Sequence, residues 1–394
     1  MEIWRGQFSR ESFGKLRVLE IKMCKGIPVA IPCSKLPVLQ NLEQLNVQDC
    51  NSVEEVIQEE GLAGETIPRL TKICLKRLPS LMHLSALQPI LQNLHSLEAV
   101  DCGNLMNLVS PSMAKRLVQL KELSITYCSM VKEIVGADVS EATDDISFTN
   151  LEKLQLGNLV VLESFSSASN TFKFPSLEKV EIEQLPRLTH LYKIIPGLGE
   201  NLQKLRILEV SGCGNLEILL TPAMAKALEQ LVKLTVRNCK TLKEIVENGG
   251  EATDDEIVNT KLQELKLVNL PILKSFCSAS YTFKFPSLTY VWITDCPQMK
   301  YFCMGHSMTP RLEQMYMNWS RLHLENDLNT IIRNYFTEWV LNDQHPKVED
   351  SQEEVPDEED AEEGDSEEQH PKEESSVKED TEGENSEGGG SGSP

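Results

Sequence analysis

The motif Leu-x-x-Leu-x-Ile/Val/Leu-x-x-Cys/Leu returns twelve times between Leu16 and Leu312, at spacings of 24 to 31 residues, and nothing else in the chain restricts its fold so tightly. Leu42, Leu45, Val47 and Cys50 show it cleanly, as do Leu120, Leu123, Ile125 and Cys128. The first leucines are Leu16, Leu42, Leu70, Leu94, Leu120, Leu151, Leu177, Leu205, Leu231, Leu262, Leu288 and Leu312. Alternation of period two around the middle of each motif predicts a short strand with one buried face. A single repeat cannot bury that face alone, so neighbours must stack into a solenoid with a parallel strand ladder and a continuous core. At about 4.8 Å per strand, eleven steps make an inner face roughly 50 Å long, enough for a protein-sized partner.

The formal charge of -22 is concentrated at the end of the chain: from Val348 onward twenty Asp and Glu face two Lys, leaving only -4 before it. The solenoid therefore lacks the basic surplus that nucleic-acid binding requires. Seven of the eleven cysteines (Cys24, Cys50, Cys102, Cys128, Cys213, Cys239, Cys296) share one turn position of the repeat, where a small buried side chain is wanted. Their total is odd and no secretory signal precedes them, so reduced thiols in the cytosol or nucleus are expected. No apolar run approaches the length of a membrane span.

Residues 1–15 resemble the back half of a repeat whose front half is missing, with Ile3, Trp4 and Phe13 as its apolar residues. A solenoid end without a polar cap exposes core leucines, and no cap is evident here. Either upstream sequence or another polypeptide is expected to cover it. The solenoid itself is expected over 16–320, and a closing helix over 321–342. In that helix Leu328, Ile331, Ile332, Tyr335, Phe336, Trp339 and Val340 keep helical spacing, and Asn326 or Asp327 stands at its N-cap. Residues 343–394 are acidic and almost without apolar residues, a composition that predicts disorder. His345-Pro346-Lys347 recurs there as His370-Pro371-Lys372 without chemical meaning.

A shift of 111 residues lays Leu94 on Leu205, Cys102 on Cys213, Leu120 on Leu231, Leu151 on Leu262 and Leu177 on Leu288, so four repeats were copied as a block. Thirteen of sixteen buried motif positions are identical between the blocks, and Ser167–Leu177 matches Ser278–Leu288 at ten of eleven. Of twenty outward strand positions, only Glu98 with Glu209 and Asn158 with Asn269 agree; Thr126 faces Arg237, Gln155 faces Lys266, Lys179 faces Tyr290 and Glu181 faces Trp292. With the loop read as exposed, this contrast points to a strand face remodelled for contact.

There is no phosphate-binding glycine loop, no dinucleotide fingerprint and no Gly-x-Ser-x-Gly elbow, so no catalytic residue, cofactor or enzyme class is assigned. Cys296, Cys303 and His306 come closest to a metal set; three ligands, one in the structural turn slot, read better as core and loop. The candidate contact residues are Tyr127, Tyr290, Trp292, Tyr316 and Trp319, all placed at outward positions, with Arg237 and Lys266 beside them. Trp292 and Tyr316 hold the same slot in adjacent strands and should be neighbours. Exposed aromatics of this kind form interface hot spots; the other reading has the closing helix or a loop folded over them. The acidic tail reads either as a solubilising extension or as a lure for basic partners. Ser351, Ser376 and Thr381 each precede an acidic residue by three positions, a short match that acidic segments produce by chance.

Several residue strings together resemble a known family. They are Val131-Lys132-Glu133-Ile134-Val135 and Leu242-Lys243-Glu244-Ile245-Val246 after the turn cysteines, the Phe174-Pro175-Ser176-Leu177 and Phe285-Pro286-Ser287-Leu288 openings, and Asp327-Leu328-Asn329-Thr330 at the last helix. The resemblance is to the coiled-coil, nucleotide-binding, leucine-rich-repeat disease resistance proteins of plants, over residues 1 to about 340. It implies an α/β horseshoe with a parallel sheet on the concave face and an irregular or short helical convex side. It also implies non-catalytic recognition of a pathogen effector, a guarded host protein or a nucleotide-binding receptor domain. The nucleotide-binding and coiled-coil parts have no counterpart here, so ATP or ADP binding is not carried over. The rival expectation is an acidic-tailed leucine-rich scaffold for basic proteins.

Overall fold

A computed structural model describes residues 4, 8–9, 12–58, 69–84, 87, 91–136, 145–168, 170–197, 202–249, 256–325 and 327–341. Asn326 and the tail expected from 343 lie outside them. Twelve parallel strands form one sheet in chain order: Val18–Lys22, Gln44–Gln48, Lys72–Lys76, Ser96–Val100, Glu122–Thr126, Lys153–Gly157, Lys179–Glu183, Ile207–Ser211, Lys233–Arg237, Glu264–Val268, Tyr290–Thr294 and Gln314–Met317. Register runs straight across every pair, so that Leu19, Leu45, Ile73 and Leu97 make one continuous row. The fold is the expected leucine-rich-repeat solenoid.

Each rung uses the same local devices. A tight turn precedes the first leucine, as in Leu42 N–H to Leu39 O (2.9 Å), Leu120 to Leu117 (3.3 Å) and Leu288 to Phe285 (3.2 Å). The residue after each long strand is left-handed: Met23, Asp49, Arg77, Asp101, Tyr127, Asn158, Gln184, Gly212, Asn238, Asn269, Asp295 and Asn318. Seven of these twelve are Asn or Asp, the non-glycine residues that tolerate this conformation best. Their N–H groups reach the end of the next strand, for example Asp49 to Lys76 O (3.0 Å) and Asn158 to Glu183 O (2.8 Å).

The turn cysteines have a chemical role as well as a small volume. Cys50 Sγ donates to Ile21 O (3.7 Å) and Gln48 O (3.2 Å), and Cys296 Sγ to Leu267 O (3.6 Å) and Thr294 O (3.3 Å). Between rungs, Cys102 N–H reaches Cys128 Sγ at 3.4 Å. Each thiol thus adds a weak hydrogen bond to backbone carbonyls, of which Gln48 O and Thr294 O also accept from the N–H groups of Met23 and Asn269 (both 3.0 Å). Burial pushes the Cys296 thiol up to about 12, and every cysteine is free.

Behind the sheet the chain is more ordered than an irregular convex side. Short parallel pairs occur there (Val29–Ile31 with Glu55–Ile57, Asn107–Val109 with Glu133–Val135, Asp145–Ser147 with Thr171–Lys173, Ile218–Leu220 with Glu244–Val246), as does a triplet of Glu256–Val258, Thr282–Lys284 and Ser307–Met308. Helical turns Pro111–Ala114 and Pro222–Ala227 are capped by Ser110 and Thr221, whose side chains accept from the N–H of Met113 and Met224. The loop read as exposed is half core: Ser167, Thr171, Lys173 and Pro175 are exposed, but its phenylalanines are not. Phe172 and Phe174 in one block and Phe283 and Phe285 in the other are buried, in clusters centred on Phe165 (5.0 and 5.4 Å to Phe172 and Phe174) and Phe276 (5.3 and 6.2 Å to Phe283 and Phe285). The second block adds Tyr281, counterpart of Asn170, against Phe283 (6.4 Å), and the two also differ by a compensating exchange. Phe148 stacks on Phe174 in the first (5.6 Å), its counterpart is Asn259, and the lost ring is replaced by Phe302, counterpart of Leu191, which stacks on Phe276 at 4.5 Å. Asn259 spends its amide on Leu228 O (2.6 Å) and accepts from Leu262 N–H (2.8 Å).

At the first end Leu16 and Leu19 stay only partly buried, whereas the last end is covered by a turn and a helix. Trp4, Phe8 and Phe13 pack against the first rungs, where no cap had been evident in the sequence; Trp4 Nε1 donates to Ala30 O (2.7 Å), and Phe8 lies 6.5 Å from Trp4 and 5.2 Å from Phe13. At the other end, Met317 and Ser320 pair antiparallel around Asn318-Trp319, so the chain reverses over the last sheet edge. The helix Leu328–Leu341 follows. Asp327 accepts from Ser307 N–H and Oγ (3.1 and 2.5 Å) and from Thr330 Oγ1 (3.0 Å), while Ser307 Oγ accepts from Leu328 N–H (2.9 Å). Asn329 Oδ1 accepts from the N–H groups of Phe302 and Cys303, both at 2.9 Å. The helix start is thereby sewn to the last rear strand. Burial works to raise the Asp327 carboxyl, but the hydrogen bonds from Ser307 and Thr330 outweigh it and hold the group below the usual aspartate range.

Two outcomes follow for stability. Phe165→Ala and Phe276→Ala should each cost about 3–5 kcal/mol in denaturant unfolding, since each ring centres an aromatic cluster; a loss under about 1 kcal/mol would mean that the clusters do not carry the rear packing. Asp327 titrates lower when folded than unfolded, so its contribution is present above pH about 4 and fades as pH falls through the folded value. The thermal midpoint of Asp327→Ala should therefore lie below that of the parent at pH 7 and approach it in acid. An offset independent of pH would show that the carboxylate charge is not what secures the helix.

Candidate protein-binding face

The outward row of the long sheet is mostly a lattice of paired charges. Lys76 meets Glu98 (3.0 Å), Lys153 and Lys179 flank Glu181 (3.0 and 2.9 Å), Lys233 meets Glu209 (2.9 Å), and Lys266 meets Glu264 (3.0 Å). Three of these pairs join neighbouring strands, while Lys179–Glu181 and Lys266–Glu264 lie within one strand; their charges largely cancel, each pair contributing about 0.2–1 kcal/mol. They also explain one of the two outward positions shared by the blocks: Glu98 and Glu209 each hold a lysine. The other, Asn158 and Asn269, is the left-handed position, kept for its backbone.

The lattice ends in an aromatic cluster. Straight register sets Trp292 opposite Lys266 on one side and Tyr316 on the other. Trp292 and Tyr316 rings lie 5.0 Å apart, and Tyr290 lies 6.4 Å from Trp292 and 6.1 Å from Tyr316. The Lys266 ammonium sits 5.6 Å from the Tyr290 ring, within cation–π range. Trp319 meets Trp292 edge to face at 5.2 Å and 85°, forming a corner, and is 67% exposed.

Trp319 does not lie on a strand, as its sequence position suggested. It occupies the second place of the two-residue hairpin turn after Asn318, with φ of 69° against 45° for Asn318. Two left-handed residues in succession define the hairpin turn in which Asn-Gly is preferred, so an indole stands where glycine is favoured. The strain of a bulky residue there is about 1–2 kcal/mol, which the edge-to-face contact with Trp292 offsets only in part, at about 0.5–1.5 kcal/mol. Asn318, which the sequence reading missed, fixes this turn: its Oδ1 accepts from Asp295 N–H (3.0 Å) and its Nδ2 donates to Tyr335 Oη (3.1 Å) on the closing helix. That helix reaches the turn at Asn318 through Tyr335, while Tyr290, Trp292 and Tyr316 stay partly exposed.

Of the remaining candidates, Arg237 lies at the end of the strand Lys233–Arg237, two strands before Trp292, with no acidic partner among the described residues. Tyr127 is not brought together with the others. It is a left-handed residue just after Glu122–Thr126, 57% exposed, and six strands, roughly 29 Å, from Tyr290–Thr294. Cys296 and Cys303 are buried core thiols, Cys303 accepting from Asn329 Nδ2 at 3.6 Å. No helix among the described residues is long and apolar enough to cross a membrane.

Comparison with known proteins places this architecture. The family described as plant disease resistance protein RPS2-like, leucine-rich repeats, matches residues 1–129, 90–195 and 196–317. The probable disease resistance protein At4g27220 of Arabidopsis thaliana is 26% identical over 199 residues, covering 50% of this chain and 21% of its own. SUPPRESSOR OF npr1-1, CONSTITUTIVE 1 of the same plant is 25% identical over 300 residues, covering 75% of this chain and 17% of its own. This chain thus spans about one fifth of the length of these relatives. Among solved structures, the internalin InlF of Listeria monocytogenes overlaps 79% of this chain and 88% of its own at 15% identity, with a TM-score of 0.32. With its repeats matched almost from end to end, the chain belongs to the RPS2-like leucine-rich-repeat family of plant disease resistance proteins.

Proposed function

We propose that this chain is a non-catalytic recognition module of plant defence, acting in the cytosol or nucleus, that binds a pathogen effector or a host protein through the long sheet. The aromatic corner of Tyr290, Trp292, Tyr316 and Trp319 is the anchor, with Lys266 and Arg237 contributing charge beside it. The observation that carries the reading is Trp319: a solvent-facing indole held in a turn slot that favours glycine. Large aromatics at the centre of an interface supply most of its affinity. The two-strand reach of the cluster leaves the preceding charge lattice to set orientation rather than strength.

The test uses the full chain as bait in extracts of challenged plant tissue. Trp292→Ala with Tyr316→Ala should abolish partner capture while far-ultraviolet circular dichroism and the thermal midpoint stay near those of the parent. Trp319→Gly should weaken capture with stability unchanged or raised, because it relieves a left-handed tryptophan. Unfolding of the double variant would make the cluster core, and undiminished capture by both variants would move the binding site elsewhere.

A further inference from the structure

The flank that follows the C-terminal ends of the long strands changes character along the stack. After the ninth strand it carries Lys240 and Lys243, after the tenth Lys274, and after the eleventh Lys300, all exposed. These side chains share a backbone ladder. Lys274 N–H donates to Lys243 O (2.9 Å), and Phe276 N–H to Phe302 O (2.8 Å) with Cys277 opposite Cys303, which carries the register of Lys274 onto Lys300. Lys243, Lys274 and Lys300 thus rise one rung at a time, about 4.8 Å per step. Lys243 is paired with Glu217 (2.7 Å); Lys240, Lys274 and Lys300 have no acidic partner among the described residues.

The duplicated block shows that the scaffold does not need these lysines. Their counterparts 111 residues earlier are Ser129, Lys132, Glu163 and Thr189, which sum to no net charge where the later set carries four positive charges. The earlier flank is partly apolar, with exposed Met106, Met130 and Val160. Like charges in register on neighbouring strands oppose one another, so the row works against the isolated fold and its benefit must come from outside it. Trp319 follows the end of the twelfth strand, as the lysines follow the ends of the ninth to eleventh.

We infer that Lys240, Lys243, Lys274 and Lys300 form a docking strip for an extended acidic segment of the protein partner, whose apolar side chain seats at the Trp292–Trp319 corner. The second half of this statement rests on the proposed function; the first does not. Charge complementarity selects the occupant. Carboxylates on one face of an extended chain recur at about 6.6 Å, close enough to the rung spacing for several to be met at once. A nucleic acid would need a basic surface continuing beyond the strip, whereas on the adjoining sheet Lys233 and Lys266 are matched by Glu209 and Glu264, leaving Arg237 as the one cation there without an acidic partner among the described residues of these two strands.

The experiment is fluorescence anisotropy of the full chain with a labelled short peptide of alternating glutamates around one central leucine, at low and near-physiological salt. The parent should bind it with an affinity that falls as salt rises. Lys240→Glu with Lys274→Glu and Lys300→Glu should weaken binding at least about tenfold and remove most of the salt dependence. The corresponding triple alanine variant, which carries no new charges into the fold, should weaken it in the same direction. Loss of the peptide with these lysine variants but not with Trp292→Ala and Tyr316→Ala would uphold the strip and refute the aromatic anchor; the converse would refute the strip alone. The strip is also overturned if the parent fails to bind the peptide, if the lysine variants bind within about twofold of it, or if an oligothymidylate of equal charge binds as tightly and through the same lysines.

Discussion

A strand with one apolar face and unsatisfied edges on both sides can be completed only by another like it, and this incompleteness governs the molecule. Every rung lends its hydrogen bonds and half its core to the next, so register is not a local choice. Moving one strand by a single residue would turn Leu265 and Leu267 outward and break contacts on two sides at once. The left-handed residue after each strand and the turn before each first leucine serve this one requirement. They set a fixed point at either end of five residues, so that loops of different length between rungs leave the sheet undisturbed.

That requirement explains which parts of the sequence could be read in advance. Leucines at recurring positions announced the strands, their order and their buried face, because the constraint is the same at every copy. The rear was less legible. Phe172 and Phe174 sit in a segment with turn-like neighbours, Asn170 and Pro175, and only the three-dimensional meeting with Phe165 reveals them as core. Treating that segment as exposed gave the divergence of the strand face more weight than it bears, since a phenylalanine cluster preserves its own sequence. The exchange of Phe148 and Leu191 for Asn259 and Phe302 is a compensation across residues far apart in the chain, which no local pattern records.

The aromatic cluster was partly foreseen. Trp292 and Tyr316 share a motif position in consecutive repeats, so their proximity follows from counting. Trp319 was placed on a strand because the repeat was extended one step too far; the backbone instead reverses after Met317, and the signal for it was Asn318 preceding a residue in the usual glycine place. Tyr127 is exposed as expected but stands apart from the cluster. It shares the left-handed column with Asn158 and Asn238, and the run of Asn and Asp in that column was visible in the sequence without being recognised as a backbone requirement.

The interchangeable seams between rungs have a consequence for how such a molecule changes length. Because the upper and lower surfaces of each layer offer the same leucine row, the same thiol or leucine plug and the same left-handed joint, a stretch of whole layers can be spliced in by unequal exchange without redesigning either junction. The four-layer doubling is one such event. The doubling supplies a second stretch of outer surface on the same skeleton, and the two stretches now carry different outward residues.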